Sequence, residues 1–290
     1  LEKQAIEQVE PSGEVNEEIN QGSESFWIRI KRSRTYKYLA PLLALLALAG
    51  KVLKPLLVVL KLSKLGGTFI SMLITVVVYA LFWGWKFALG FVLLILVHEN
   101  GHMLAARRAG LPVSNPVFIP FVGAFINLKE MPRDARQEAA IGLGGPLLGG
   151  LASLACLGIF ALGGGTYWLA LGYTGCFLNL FNLVPFSFLD GGRIATAISL
   201  WLWLPGAFLL GVLAFKLGNL LLVVILLLGL WEAWGVFKKR NSPEFTAYYG
   251  LPGAFRLRMG LVYLTMLTVL GLGMSYAHEL LVHLQPQLVK

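Results

Sequence analysis

Charge is what this sequence has least of. Only 13% of its 290 residues are Asp, Glu, Lys or Arg, where a water-soluble globular chain carries about 25%. A chain so poor in charge cannot cover a water-facing surface. With 57% hydrophobic residues and a mean hydropathy of +0.72, it reads as an integral membrane protein. Cysteine is nearly absent as well. Cys156 and Cys176 stand in apolar segments without C-x-x-C spacing, which argues for small buried thiols and against a disulfide or thiolate metal site. The opening residues lack a basic stretch followed by an apolar one, so no secretory signal peptide is expected there. The net charge of +9 does not indicate nucleic acid. The basic residues flank apolar runs, where they attract anionic lipid and set orientation.

Four regions follow in chain order. Residues 1–37 are a polar tail: the first 25 hold seven Glu and one Lys, and then Arg29, Lys31, Arg32, Arg34 and Lys37 reverse the sign beside the membrane. In residues 38–66, Lys51, Lys54, Lys61 and Lys64 fall on one side of a helix, which favours an amphipathic helix at the membrane surface over a spanning one. Residues 67–198 hold apolar runs at 68–85, 87–106, 134–162 and 166–184. Residues 199–290 continue a run at 194–215 and add runs at 217–237 and 261–278, with a basic loop at 238–258. The expected fold is an all-α polytopic membrane protein of about six or seven transmembrane helices. Counting Lys and Arg with the N-terminus inside gives 21 on the inner side against 3 (Lys86, Lys216 and Lys290) on the outer. The positive-inside rule therefore places the N-terminus in the cytoplasm.

Between the second and third runs, Val117 to Leu128 is too apolar for a free loop and too short for a span. Its β-branched and aromatic residues suggest a short re-entrant β-strand or hairpin, with a plain loop packed on helix ends as the alternative. Such backbone persists at membrane depth only where protein or water satisfies it.

The chemistry-bearing stretch is His98-Glu99-Asn100-Gly101-His102, at the end of an apolar run. On a helix, His98 and His102 leave the same face and can share one ion, and Glu99 can reach a water bound to it. A catalytic zinc site adds a third protein ligand and keeps a fourth position open. Asp190 is the best candidate: Pro185 ends the preceding helix and Gly191-Gly192 frees the turn, so its carboxylate can point back between helices. The alternative is that Asp190 caps the helix starting at Ile194. His278-Glu279-Leu280-Leu281-Val282-His283 is one residue too long for the pattern, leaving its two rings about 140° apart on a helix. Glu232 is expected to pair with Lys238 or to serve a polar helix contact, away from any metal.

His98-Glu99-Asn100-Gly101-His102, together with Asn182-Leu183-Val184-Pro185-Phe186-Ser187-Phe188-Leu189-Asp190-Gly191, resembles the site-2 protease family of intramembrane zinc metalloproteases, in its bacterial form without a PDZ insertion. The family's H-E-x-G-H and N-x-x-P-x-x-x-L-D-G are both complete, in order, and on apolar segments, and the likeness covers roughly residues 68–198. The Gly145-Pro146 step and the stretch from Pro120 to Leu128 resemble family features as well. The resemblance implies a Zn2+ cofactor held by His98, His102 and Asp190, with Glu99 as catalytic base. It also implies that Asn182, Pro185, Gly145 and Pro146 surround the site, Asn182 lining it against substrate backbone. Asn100 stands where the family more often has an apolar residue. The interval from Met103 to Phe181 leaves no room for a PDZ domain, and no nucleotide-binding tail is read after the last span.

The resemblance further implies an endopeptidase that cuts a transmembrane protein in or near its membrane segment, within a bacterial cell membrane. Its active site would face the cytoplasm, with lipid around it and a separate adaptor or a second copy of the chain as partner. Without a PDZ domain, substrate recognition would fall to the N-terminal segment, the loop from Lys238 to Arg258, or a separate protein. Two other readings stand beside it: a membrane metal-binding or transport protein, and an inactive protease-like scaffold.

Overall fold

Long apolar runs punctuated by glycine, proline and asparagine set the architecture. The computed structural model describes residues 64–288, so the polar tail and nearly all of the lysine-studded segment lie outside the described residues. Helix α1 (Lys64–Trp83) is separated from α2 (Trp85–Arg108) by Gly84 alone, whose φ of 76° suits a residue without a Cβ. Strands β1 (Val117–Ile119) and β2 (Gly123–Phe125) follow, then α3 (Ala135–Ala161) and α4 (Thr166–Asn182). Helix α5 (Asp190–Ile198) leads through a 3-10 turn at Leu200–Leu202 into α6 (Trp203–Leu217). The chain ends in α7 (Leu220–Lys238), the short α8 (Pro243–Tyr249) and α9 (Gly253–Leu288).

The caps are local and legible. Asp134 accepts the Gln137 N–H at the start of α3. Gly218, in the left-handed region, ends α6, and Asn219 accepts the Leu221 N–H to start α7. Six helices among the described residues are long and apolar enough to cross a membrane: α1, α2, α3, α6 with the turn before it, α7 and α9. Helix α4 has 17 residues, about 25 Å at 1.5 Å per residue, which sits at the lower limit for a span. The polytopic all-α architecture expected from the sequence is the one observed.

Two boundaries differ from expectation. The run 194–215 is not one helix: Ser199 is extended, with φ −166° and ψ 129°, and separates α5 from α6. The Trp203 indole N–H donates to the Gly192 carbonyl at 3.1 Å, folding the chain back at this break. At the other end, α9 extends well beyond 261–278, running 36 residues from Gly253.

Helices α2 and α3 cross in backbone contact. A Cβ on Gly101 would land on the Gly144 carbonyl, so no side chain larger than hydrogen fits without separating the helices. The hairpin is antiparallel, pairing Val117 with Phe125, Phe118 with Ala124 and Ile119 with Gly123. It lies along α1 through three hydrogen bonds: Thr68 Oγ1 to the Pro116 carbonyl at 2.7 Å, the Phe118 N–H to Ser71 Oγ at 3.2 Å, and the Phe121 N–H to the Tyr79 hydroxyl at 3.0 Å. From Thr68 to Tyr79 is eleven helical steps, or about 17 Å. The hairpin therefore runs far down a membrane-length helix, and α1 side chains satisfy its outward backbone donors, as apolar surroundings require.

Candidate metal centre

Helix α2 presents His98 and His102 one turn apart on its buried face, and the first residue of α5, Asp190, meets them from across the cleft. His98 Nε2 and His102 Nε2 each lie 3.2 Å from Asp190 Oδ2 and 3.0 Å from one another. A tetrahedral ion at about 2.0–2.1 Å from its donors spaces them about 3.4 Å apart. The triangle here is slightly tighter, so a small outward movement of the three atoms admits the ion. All three residues are buried, and they form the one group of this kind among the described residues. The expected alternative for Asp190 does not hold: Leu189 occupies the cap position of α5, no side chain caps it, and the Asp190 carboxylate faces the imidazoles.

Hydrogen bonds orient both rings. The Asn179 amide nitrogen donates to the Gly175 carbonyl at 2.8 Å and to Ser153 Oγ at 3.5 Å. Its oxygen therefore faces His98, whose Nδ1–H donates to it at 2.9 Å. His102 Nδ1–H donates to the Ile141 carbonyl at 2.8 Å. Each ring thus keeps its proton on Nδ1 and leaves the Nε2 lone pair free, the tautomer a metal needs. The donor chemistry and its spacing fit a divalent ion of zinc's kind.

Glycines make this approach sterically feasible. A Cβ on Gly145 would enter the His102 ring, and one on Gly149 would collide with the Asn179 amide. Pro146, fully buried inside α3, has no N–H for the Gly142 carbonyl and interrupts the helix ladder beside the carbonyl that His102 uses. Gly191 and Gly192 let α5 start against the backbone of Leu183 and of Phe186–Ser187, which brings Asp190 back toward α2. Ser187 takes the left-handed conformation, φ 50°, and its hydroxyl donates to Glu232 on α7. Glu232 thus serves a polar helix contact, as expected, and holds the turn that delivers Asp190.

The cluster opens into a cavity of about 510 Å³ bounded by β2, the end of α4 and α7. Glu99 lines it and makes no hydrogen bond with the described residues, which leaves its carboxylate facing the cavity. Asn182, the last residue of α4, also lines it, half-buried and with an uncommitted side-chain amide. Pro185 lies within the segment joining α4 to α5 and does not line the cavity. Asn100 turns back to its own helix, donating to the Leu96 carbonyl at 2.9 Å. His278 and His283 are exposed on α9 and lie outside the cluster, His278 stacking on Tyr173.

Asn179 and Ser153 are the site residues that sequence reasoning missed. The available signal was a second asparagine in an apolar helix one turn before Asn182, since amides in membrane segments usually serve a function. Its use became visible only with α2 and α3 in place.

Residues 86–165 match the family model described as peptidase family M50. The chain is 34% identical over 126 residues to zinc metalloprotease MJ0392 of Methanocaldococcus jannaschii, a match covering 41% of this chain and 35% of that one. It is 32% identical over 148 residues to Rip3 of Mycobacterium tuberculosis, which carries a provisional zinc metalloprotease name, covering 48% of this chain and 37% of that one. It thus spans little more than a third of the length of these relatives. The M50 match ends before Asp190, yet the fold returns Asp190 to the two histidines that the match contains. Over its segment 86–165, which carries both histidines and Glu99, the chain is thus similar to peptidase family M50 and to proteins named as zinc metalloproteases.

Proposed function

We propose that this protein is an intramembrane zinc endopeptidase that hydrolyses a peptide bond in or near the membrane segment of another membrane protein. The observation that carries the reading is the convergence of His98, His102 and Asp190 within 3.2 Å of one another beside an uncommitted glutamate in a membrane-depth cavity. His98, His102 and Asp190 would hold the zinc, which when bound supplies Lewis acidity and a water of lowered pKa. Glu99 accepts the proton of the attacking water on its carboxylate and returns it to the leaving amine.

A helical substrate hides its carbonyls in its own hydrogen bonds and must unwind to be cut. The hairpin is suited to hold the opened strand. Because the Phe118 N–H points to Ser71, away from β2, its partner Ala124 belongs to a non-hydrogen-bonded pair and turns its own N–H and C=O to the outer edge. That edge lines the cavity. Edge pairing there, with the Asn182 amide opposite, grips backbone with little demand on side chains. The distribution of Lys and Arg supports a cytoplasmic active site. His98 and His102 lie ten and six helical steps from Arg108, about 15 and 9 Å below that end of α2. A bacterial cell membrane fits the compactness of the chain and its family resemblance, with an organelle membrane as the alternative.

The test is reconstitution with membrane-protein substrates and mapping of released fragments. Glu99→Gln is expected to retain zinc and lower cleavage by about 10²–10⁴-fold, and chelation should abolish cleavage in the wild type. Undiminished turnover by Glu99→Gln removes the assigned base.

A further inference from the structure

A second cleft lies away from the metal cluster, where the C-terminal end of α5 meets the segment joining α7 to α9. Its volume is about 310 Å³, and Ser199, Trp201, Arg240, Phe245, Tyr249 and Arg256 are among the residues that line it. No carboxylate lines it, and neither arginine has a carboxylate within ion-pair distance among the described residues. Arg256 is fixed in place. Its guanidinium donates to the carbonyls of Ile198 at 2.7 Å, Tyr249 at 2.7 Å and Leu251 at 3.2 Å. These carbonyls orient the cation without cancelling its charge, and each Nη keeps a second N–H. Arg240 is exposed, and it and the half-buried Ser199 hydroxyl make no side-chain hydrogen bond with the described residues. Burial, with the carboxylates of Glu138 and Glu232 nearby, pushes the Tyr249 hydroxyl up to about 12, so it stays a neutral donor.

The cleft therefore gathers two guanidinium groups and hydroxyl donors around space with no anion of its own. Paired guanidiniums match phosphate oxygens in charge and geometry. Its place in the fold narrows the source. Lys238 ends the spanning helix α7 and Gly253 starts the spanning helix α9, so the cleft lies level with one membrane surface. Trp201, 62% exposed, and Phe245 stand at the same level, where aromatic rings meet headgroups.

We infer that this cleft, between Arg240 and Arg256, binds a phosphate group, with the headgroup of an anionic phospholipid as its source. The cleft connects to the metal cluster through one short rigid element: α5 starts at Asp190 and ends at Ile198, whose carbonyl Arg256 holds.

The test uses the full chain in phosphatidylcholine nanodiscs containing traces of spin-labelled phosphatidylglycerol or spin-labelled phosphatidylcholine. Wild type is expected to immobilise the phosphatidylglycerol label selectively, and Arg240→Gln to weaken that association about tenfold, the loss of one charge-assisted contact. Diffuse attraction by Lys238 and Lys239 would give selectivity too. Arg240→Lys keeps the charge but loses the planar fork, and Ser199→Ala keeps every charge. A site predicts weaker binding in both, diffuse attraction predicts no change in either, and no change overturns the inference. Line broadening of inorganic phosphate in 31P spectra of the detergent-solubilised chain separates the sources. Broadening without phosphatidylglycerol selectivity keeps the phosphate site and replaces lipid with a soluble phosphate compound. Selectivity without broadening assigns the lipid, and absence of both overturns the inference. None of these measurements depends on proteolysis.

Discussion

Helices α2 and α7 are both membrane-length, yet they are built for different neighbours. In the apolar window of α2, 61% of residues are buried, and in that of α7 only 17%. Helix α2 carries its glycines and polar groups inward: Gly101 lies against the backbone of α3, and His98, Glu99 and His102 are all buried. Helix α7 turns its bulk outward, with Trp231 79% and Trp234 74% exposed. Apolar surface gains nothing by leaving lipid for another helix, so hydrophobicity alone does not decide which helices pack. Close backbone contact and shared hydrogen bonds do. The inner group of α2 to α5 has both, and the outer helices meet it with few, such as Glu232 receiving the Ser187 hydroxyl.

That contrast can be broken at graded positions. The largest effect is expected from Asp190→Ala, which removes one of three converging donors. Zinc affinity should fall by more than the roughly 10–100-fold typical of losing an outer partner, and metal analysis of the purified variant checks it. Unchanged zinc stoichiometry would take Asp190 out of the ligand set. Gly101→Val comes next. Its Cβ would meet the Gly144 carbonyl, and forcing the helices apart should cost about 3 kcal/mol. Thermal unfolding in detergent should show a matching fall in Tm, with zinc lost in parallel. A wild-type Tm would mean that the α2–α3 crossing is looser than described.

Asn179→Ala should weaken zinc binding by about 10–100-fold with little loss of fold, because it leaves His98 Nδ1–H without its acceptor. Asn179→Asp retains an acceptor and should recover most of the affinity. If the alanine variant binds zinc normally, Asn179 does not orient the ring. The smallest effect belongs to the outer face: Trp231→Leu exchanges one lipid-facing apolar side chain for another and should move stability by no more than about 0.5 kcal/mol. A large fall in Tm there would show that α7 has a protein neighbour on that side.

The sequence by itself determined the membrane class, most of the helices, and the pairing of His98 with His102. These rest on composition and on a repeat of about four residues, properties of a single segment. It raised Asp190 as a candidate and left a cap as the alternative. Only the tertiary structure brought Asp190 to the two imidazoles, because 88 residues separate Asp190 from His102 and their meeting depends on how α3, α4 and the Gly191-Gly192 turn pack. The break at Ser199 and the roles of Asn179 and the Ile141 carbonyl were hidden for the same reason. A hydrogen bond between an amide on α4 and an imidazole on α2 leaves no period in the sequence. It exists because glycines on α2 and α3 let the backbones come close enough for these groups to satisfy one another away from water.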